Sequence, residues 1–151
     1  MQIRKLNSNE EPPIDLLLMA DPSLTLIEEY LNTGECYVAE NNKEIIGVYV
    51  LLPKSTETIE LVNIAVSDNE QGKGIGKQLI LDAIQKSKVK GYQTIEVGTG
   101  NSSIGQLALY QKCGFRITGV DRDFFTRHYK EDIFENGIWC RDMIRLSQQL
   151  N

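Results

Sequence analysis

Residues 72–76 read Gly-Lys-Gly-Ile-Gly, and no other stretch of the 151-residue chain constrains its folding as tightly. Before it, Thr58–Val66 is rich in β-branched and apolar residues, which favours a strand. After it, Ile75, Leu79, Ile80, Ala83 and Ile84 mark one face of a helix. Lys86, Lys88 and Lys90 place cations at the C-terminal end of that helix, and Gly91 stops it. A strand, a bare loop and a helix in this order aim main-chain N–H groups and the positive end of a helix dipole at one point. That is a site for a phosphate or another anion.

Two common phosphate loops do not fit. The pattern G-x-x-x-x-G-K-[ST] would occupy positions 71–78, where Gln71 stands for the first glycine and Gln78 for the hydroxyl residue. The dinucleotide pattern G-x-G-x-x-G starts well at Gly72 and Gly74, but its third glycine falls on Lys77, and residues 67–71 lengthen the turn. Nucleotide hydrolysis and NAD binding are thus poor readings.

The rest of the chain supplies a frame for this junction. Residues 2–6 form a strand, the prolines of 7–13 break it, and Ile14–Ala20 is an apolar helical run. Asp21-Pro22-Ser23 starts a second helix, with Asp21 as N-cap, Pro22 in the first turn, Leu24, Ile27 and Leu31 as its buried stripe, and Gly34 as its stop. Strands follow at 36–40, 45–52 and 58–66, the first two joined by a tight turn at Asn41-Asn42. After the glycine loop and its helix comes a strand at 94–97. Ser102 or Ser103 then caps a helix running to Lys112, and a strand occupies 115–120. An irregular aromatic segment at 121–134, an Asn136-Gly137 turn and a last strand at 138–146 complete the order β-αα-βββ-α-β-α-β-β. Three meandering strands followed by βα units predict an α/β fold, a mixed sheet with helices on its faces, in one domain over residues 1–151.

Charge and composition narrow the partners. Residues 1–60 carry 11 acidic and 4 basic side chains, whereas residues 61–120 carry 4 and 7. The glycine loop therefore sits in the one basic third, as an anionic ligand requires. The acidic first third argues against nucleic acid and suits a cationic partner. No apolar run approaches the ~20 residues of a membrane span, and the first residues lack a secretory core. Cys36, Cys113 and Cys140 are odd in number and lack CxxC spacing, which reads as reduced, packed thiols in a cytoplasmic protein. His128 is the sole histidine, so no multi-histidine metal site is available.

A third loop pattern does fit: Gln/Arg-x-x-Gly-x-Gly/Ala, here Gln71-Gly72-Lys73-Gly74-Ile75-Gly76. With it stand the strand Ile59-Glu-Leu-Val-Asn-Ile-Ala-Val66 and the segment Leu109-Tyr-Gln-Lys-Cys-Gly-Phe115, similar to an LYxKxGF signature. From about Gln2 to Leu146 the chain resembles the GNAT superfamily of acyl-CoA-dependent N-acyltransferases. The resemblance implies the GNAT-like fold with its fourth and fifth strands splayed apart, and acetyl-CoA as acyl donor.

It also implies roles, residue by residue. Main-chain N–H groups of Gln71, Gly72, Lys73, Gly74, Ile75, Gly76 and Lys77 would hold the pyrophosphate, and Ile64 and Val66 would pair with the pantetheine arm. Glu60 lies six residues before Val66, roughly 20 Å along a strand at ~3.3 Å per residue, close to the reacting carbonyl. It is the candidate general base, with water as its alternative. Tyr110 would be the general acid beside the leaving sulfur and would also touch the cofactor. The family often carries asparagine seven residues before this tyrosine. Ser103 occupies that place here, with Asn101 two residues earlier, and either could make the contact.

Asn63 could position water or acceptor. Phe124, Phe125, His128 and Tyr129 could line the acceptor pocket, where Asp123 or Glu131 could pair with a cationic amine. Cys113 reads as packing rather than nucleophile. The whole predicts direct acetyl transfer to a primary amine, foremost of a small cationic molecule and next of a peptide or protein. A non-catalytic acyl-CoA sensor is the rival of another class. Family precedent also allows a homodimer.

Overall fold

The computed structural model describes residues Met1–Asn151. Strand β1 (Gln2–Lys5) is followed by helices α1 (Ile14–Ala20) and α2 (Leu24–Thr33), then strands β2 (Glu35–Asn41), β3 (Glu44–Pro53) and β4 (Thr58–Val66). A 3-10 turn at Asp68–Glu70 leads through the glycine loop into helix α3 (Ile75–Val89). Strand β5 (Thr94–Gly100), helix α4 (Ile104–Lys112) and strand β6 (Arg116–Asp121) come next. The chain ends with short helix α5 (Phe124–His128), strands β7 (Ile133–Glu135) and β8 (Ile138–Cys140), and strand β9 (Met143–Gln149). Seven strands form one sheet in the order β1-β2-β3-β4-β5-β9-β6, while β7 and β8 pair as a separate hairpin.

The sheet buries both faces. On one side Ile75, Leu79, Ile80 and Ala83 of α3, with Tyr110 and Phe115, pack on Tyr37, Tyr49, Leu51, Ile59, Leu61, Ile95, Val97 and Leu146. On the other, Leu16 and Leu17 of α1 and Ile27 of α2 cover Cys36, Val38, Val48, Val50 and Ala65. Strand β3 feeds both cores by alternation, which is why it reads as an unbroken apolar run.

The functional opening comes from the centre of the sheet. Strands β4 and β5 run parallel and pair only from Thr58↔Thr94 to Leu61↔Val97. Just there β4 shifts register against β3, which faces Val50 with Asn63 but Leu51 with Leu61, so Val62 is an extra residue. A bulge of this kind bends its strand. Strand β5 stays paired with β9 along its whole length, so the two parallel strands part after Leu61. The predicted splay is present.

Several local expectations are corrected. Helix α2 is capped by Ser23, whose hydroxyl accepts the Leu26 N–H at 3.2 Å, and not by Asp21. Leu24 is exposed, and Ile27 is the buried residue of that helix. Gly34 has an ordinary extended conformation; its bareness answers crowding, since a Cβ would fall 2.6 Å from the Tyr30 carbonyl and 2.8 Å from that of Leu51. The β2–β3 turn has positive φ at Asn42 and Lys43, one residue later than predicted. The strand expected at 138–146 is divided. Asn101 Oδ1 accepts the N–H groups of both Arg141 and Asp142, which breaks the run between β8 and β9.

Candidate active site

The glycine loop opens a cleft of about 790 Å³ at the wide end of the splay. Gly72 and Gly74 adopt φ of 79° and 82°, the left-handed region that suits glycine. A Cβ on either would meet nothing within 4 Å. The loop is thus bare toward open space, a cradle that fits a phosphate group against the start of α3. Ile64, Val66, Gln71, Gly72, Gly74, Ile75, Gly76 and Lys77 all line it, with Lys112 adding a further cation. Lys73 does not; its ammonium pairs with Glu70 at 3.0 Å. Gln71 folds back onto the Val66 carbonyl at 3.1 Å, which holds the loop on the strand. The Ser67 N–H donates to the Ile46 carbonyl, so by alternation the main-chain groups of Ile64 and Val66 point away from β3 into the gap.

A second cavity of about 1010 Å³ adjoins the first. Met19, Ala20, Ile64, Gly105, Gln106 and Glu135 border both, so the two form one channel. Tyr110 lines the second cavity one helical turn beyond Gln106. It is almost fully buried, edge-on to Phe115 at 5.7 Å. Burial pushes its phenol up to about 12, against a smaller opposing pull from Gln106. The proton therefore stays on the phenol at neutral pH, as a proton donor requires.

Glu60 faces the same cavity with its side chain 12% exposed, between Lys54 Nζ at 3.3 Å and Arg145 Nη2 at 3.5 Å. Asn63, Phe124, Phe125 and Tyr129 also line it. Ser103 does too, donating to Glu135 Oε1 at 2.8 Å. That bond ties the exposed β7–β8 hairpin to the start of α4.

The structure leaves four further expected residues outside. Asn101 spends its side chain on the main chain of residues 139–142. His128 borders neither cavity and lies exposed against the Phe124 ring at 4.4 Å. Asp123 and Glu131 are also absent from the lining; the cavity's carboxylates are Asp21, Glu60, Asp132 and Glu135. Sequence reasoning missed Asp21 because a cap explained it. The residue before a proline is kept out of a helix, and that signal could have marked its side chain as available. Cys113 lines neither cavity, whereas Cys140 borders the second, its thiol pushed up mainly by burial.

Known proteins share this fold. The family model for the acetyltransferase (GNAT) family matches residues 2–115. An uncharacterized N-acetyltransferase, YvbK of Bacillus subtilis, is 65% identical over 132 residues, covering 87% of this chain and 85% of that protein. The structure superposes with a TM-score of 0.97 on a GNAT family acetyltransferase from Elizabethkingia anophelis with acetyl-CoA bound. That protein is 53% identical, and the match covers 99% of this chain and 97% of that one. A Bacillus subtilis acetyltransferase in complex with CoA gives 0.93 at 58% identity, with 99% of each chain covered. No helix is long and apolar enough to cross a membrane. With the glycine loop, the splayed strands and the buried Tyr110 in one channel, these matches identify the chain as a member of the GNAT family, an acetyl-CoA-dependent N-acetyltransferase.

Proposed function

We propose that this enzyme transfers the acetyl group directly to a primary amine of a small cationic molecule, with donor and acceptor bound together. The observation that carries the reading is the buried Tyr110 phenol in the second cavity, one helical turn from Gln106, which borders both cavities. Acetyl-CoA supplies the acyl thioester. The main-chain N–H groups of the glycine loop hold its pyrophosphate, and Ile64 and Val66 pair with its amide-bearing arm. Glu60 takes the proton that the acceptor ammonium must lose before its nitrogen can attack, directly or through a water. As the C–S bond breaks, Tyr110 donates its proton to the departing thiolate sulfur, and the nitrogen returns a proton to the phenolate as it becomes the amide.

Charge supports the acceptor class. Of the four carboxylates lining the second cavity, only Glu60 has cationic partners, and it takes both Lys54 and Arg145. Asp21, Asp132 and Glu135 are left without cations, so the cavity favours a positively charged guest.

The test follows release of the free thiol from acetyl-CoA with 1,4-diaminobutane as acceptor. Tyr110→Phe should lower kcat by about 10²-fold or more and leave acetyl-CoA affinity within about twofold. A variant that turns over at the parent rate would remove Tyr110 from the mechanism.

A further inference from the structure

One cluster in the acceptor cavity is not used by the chemistry above. Asp21, at the C-terminal end of α1, accepts three hydrogen bonds. They come from the Ser23 N–H at 3.0 Å, Tyr30 O–H at 3.2 Å and Tyr129 O–H at 2.8 Å. Tyr30 lies on α2 and Tyr129 just beyond α5, so three separate elements converge on one half-buried carboxylate. Every donor is neutral, and no lysine, arginine or histidine nitrogen comes within the 4.0 Å of an ion pair.

The directions of these bonds are determined. Asn63 is buried and gives its amide hydrogens to the Leu17 carbonyl at 3.0 Å and the Tyr30 oxygen at 2.8 Å. The Leu17 carbonyl can only accept, which fixes the amide orientation. Tyr30 therefore receives from Asn63 and must donate its own proton to Asp21. Burial, reinforced by the Asp21 charge, raises both phenols, so they remain donors. Asn63 Oδ1 is the sole buried side-chain polar atom without a partner. The two donated bonds of Asn63 tie α1 and α2 to β4, and the second of them aims Tyr30 at Asp21.

We propose that Asp21, oriented by Tyr30, Tyr129 and Asn63, binds a second positively charged nitrogen of the acceptor and so selects polycationic amines over monoamines. This rests on the amine-acetylation reading above. The nitrogen that Asp21 holds is not the reacting one, because an ion pair stabilises the ammonium form that must be lost before attack. The carboxylate has its rotamer set before the ligand arrives and still has lone pairs to offer. A preorganised anion of this kind keeps more of its binding free energy.

The experiment compares kcat/KM for 1,4-diaminobutane and 1-aminobutane in the full chain and in Asp21→Asn, with acetyl-CoA affinity measured in both. The amide keeps an oxygen for the Ser23 N–H and Tyr129 O–H, which share Oδ1, places its –NH2 against Tyr30 in the stead of Oδ2, and loses the charge. The parent should prefer the diamine by about tenfold or more, as for a hydrogen bond to a charged group. Asp21→Asn should erase that preference through a raised diamine KM, with monoamine turnover and acetyl-CoA affinity retained. Equal efficiency with both amines in the parent overturns the inference while leaving transfer intact. Loss of both amines together in the variant reduces Asp21 to a structural role and also overturns it. Turnover of neither amine by the parent sinks the transfer reading and this inference with it. Should Asp21→Asn fail to fold, Tyr129→Phe keeps the charge and loosens it. It should raise the diamine KM several-fold more than the monoamine KM, and an equal effect on both amines would refute the proposal.

Discussion

Gly76→Ala separates a loop built for a ligand from a loop built only to start a helix. Gly76 is the second residue of α3 and, unlike Gly72 and Gly74, does not have positive φ. An added Cβ would sit 3.7 Å from Leu109 Cδ2 and 4.0 Å from Val66 Cγ2, ordinary contact distances. The free protein therefore has room for the methyl. Replacing glycine by alanine at a compatible position stabilises by about 0.4–1 kcal/mol, which in a domain of this size raises Tm by roughly 1–4 °C. The ligand experiences the opposite. Leu109 and Val66 are walls of the cleft, so the methyl stands where the loop must close on phosphate. Loss of one charge-assisted hydrogen bond costs about 1.5–3 kcal/mol, or roughly 10- to 150-fold in Kd. Thermal unfolding and calorimetric titration with acetyl-CoA should thus move in opposite directions. An unchanged Kd would mean that the glycine does not serve the ligand, and a fall in Tm would mean that the packing argument is wrong. Gly74→Ala cannot discriminate, because its left-handed φ adds about 1–2 kcal/mol of strain to either reading.

Two further predictions concern groups away from the loop. Cys113→Ala should keep turnover within about threefold in the thiol-release assay, since Cys113 lines neither cavity and direct transfer forms no acyl-enzyme; loss of turnover with acetyl-CoA binding intact would contradict this. The buried phenols make stability fall at high pH. Tyr110 is raised to about 12, and Tyr30, Tyr49 and Tyr129 are also raised, each chiefly by burial. Their contribution is fully present below the ordinary phenol value of about 10 and is lost as pH rises through the folded values, at about 1.4 kcal/mol per pH unit for each fully buried phenol. Urea midpoints should begin to fall near pH 9, where the three thiols raised by burial titrate in the unfolded chain, and drop more steeply above 10 as the phenols follow. Full phenolate absorbance near pH 10 in the folded protein would refute the assignment.

The parts of this molecule legible in the sequence are those that depend on near neighbours. The junction of β4, glycine loop and α3 could be read from periodicity and three glycines, and the Asn136-Gly137 turn has the positive φ its residues favour. The splay was expected from resemblance alone; its physical cause, the extra residue Val62 against β3, depends on a register that no local pattern displays. Asp21 shows the limit most clearly. Local rules offered it a cap, Ser23 took that role, and the carboxylate joined Tyr129, 108 residues away. Likewise the break between β8 and β9 is made by Asn101, 40 residues upstream of Arg141. The aromatic run at 124–129 was read as one pocket wall, but a five-residue helix turns His128 outward while Phe124, Phe125 and Tyr129 border the cavity.

Direct transfer requires one channel that holds donor and acceptor together. Its most direct test is the initial rate of thiol release with acetyl-CoA and 1,4-diaminobutane both varied. Intersecting double-reciprocal lines are predicted, because both ligands must be bound before the acetyl group moves. Parallel lines would indicate an acetylated enzyme, implicate a thiol such as Cys140 in the acceptor cavity, and rule out direct transfer.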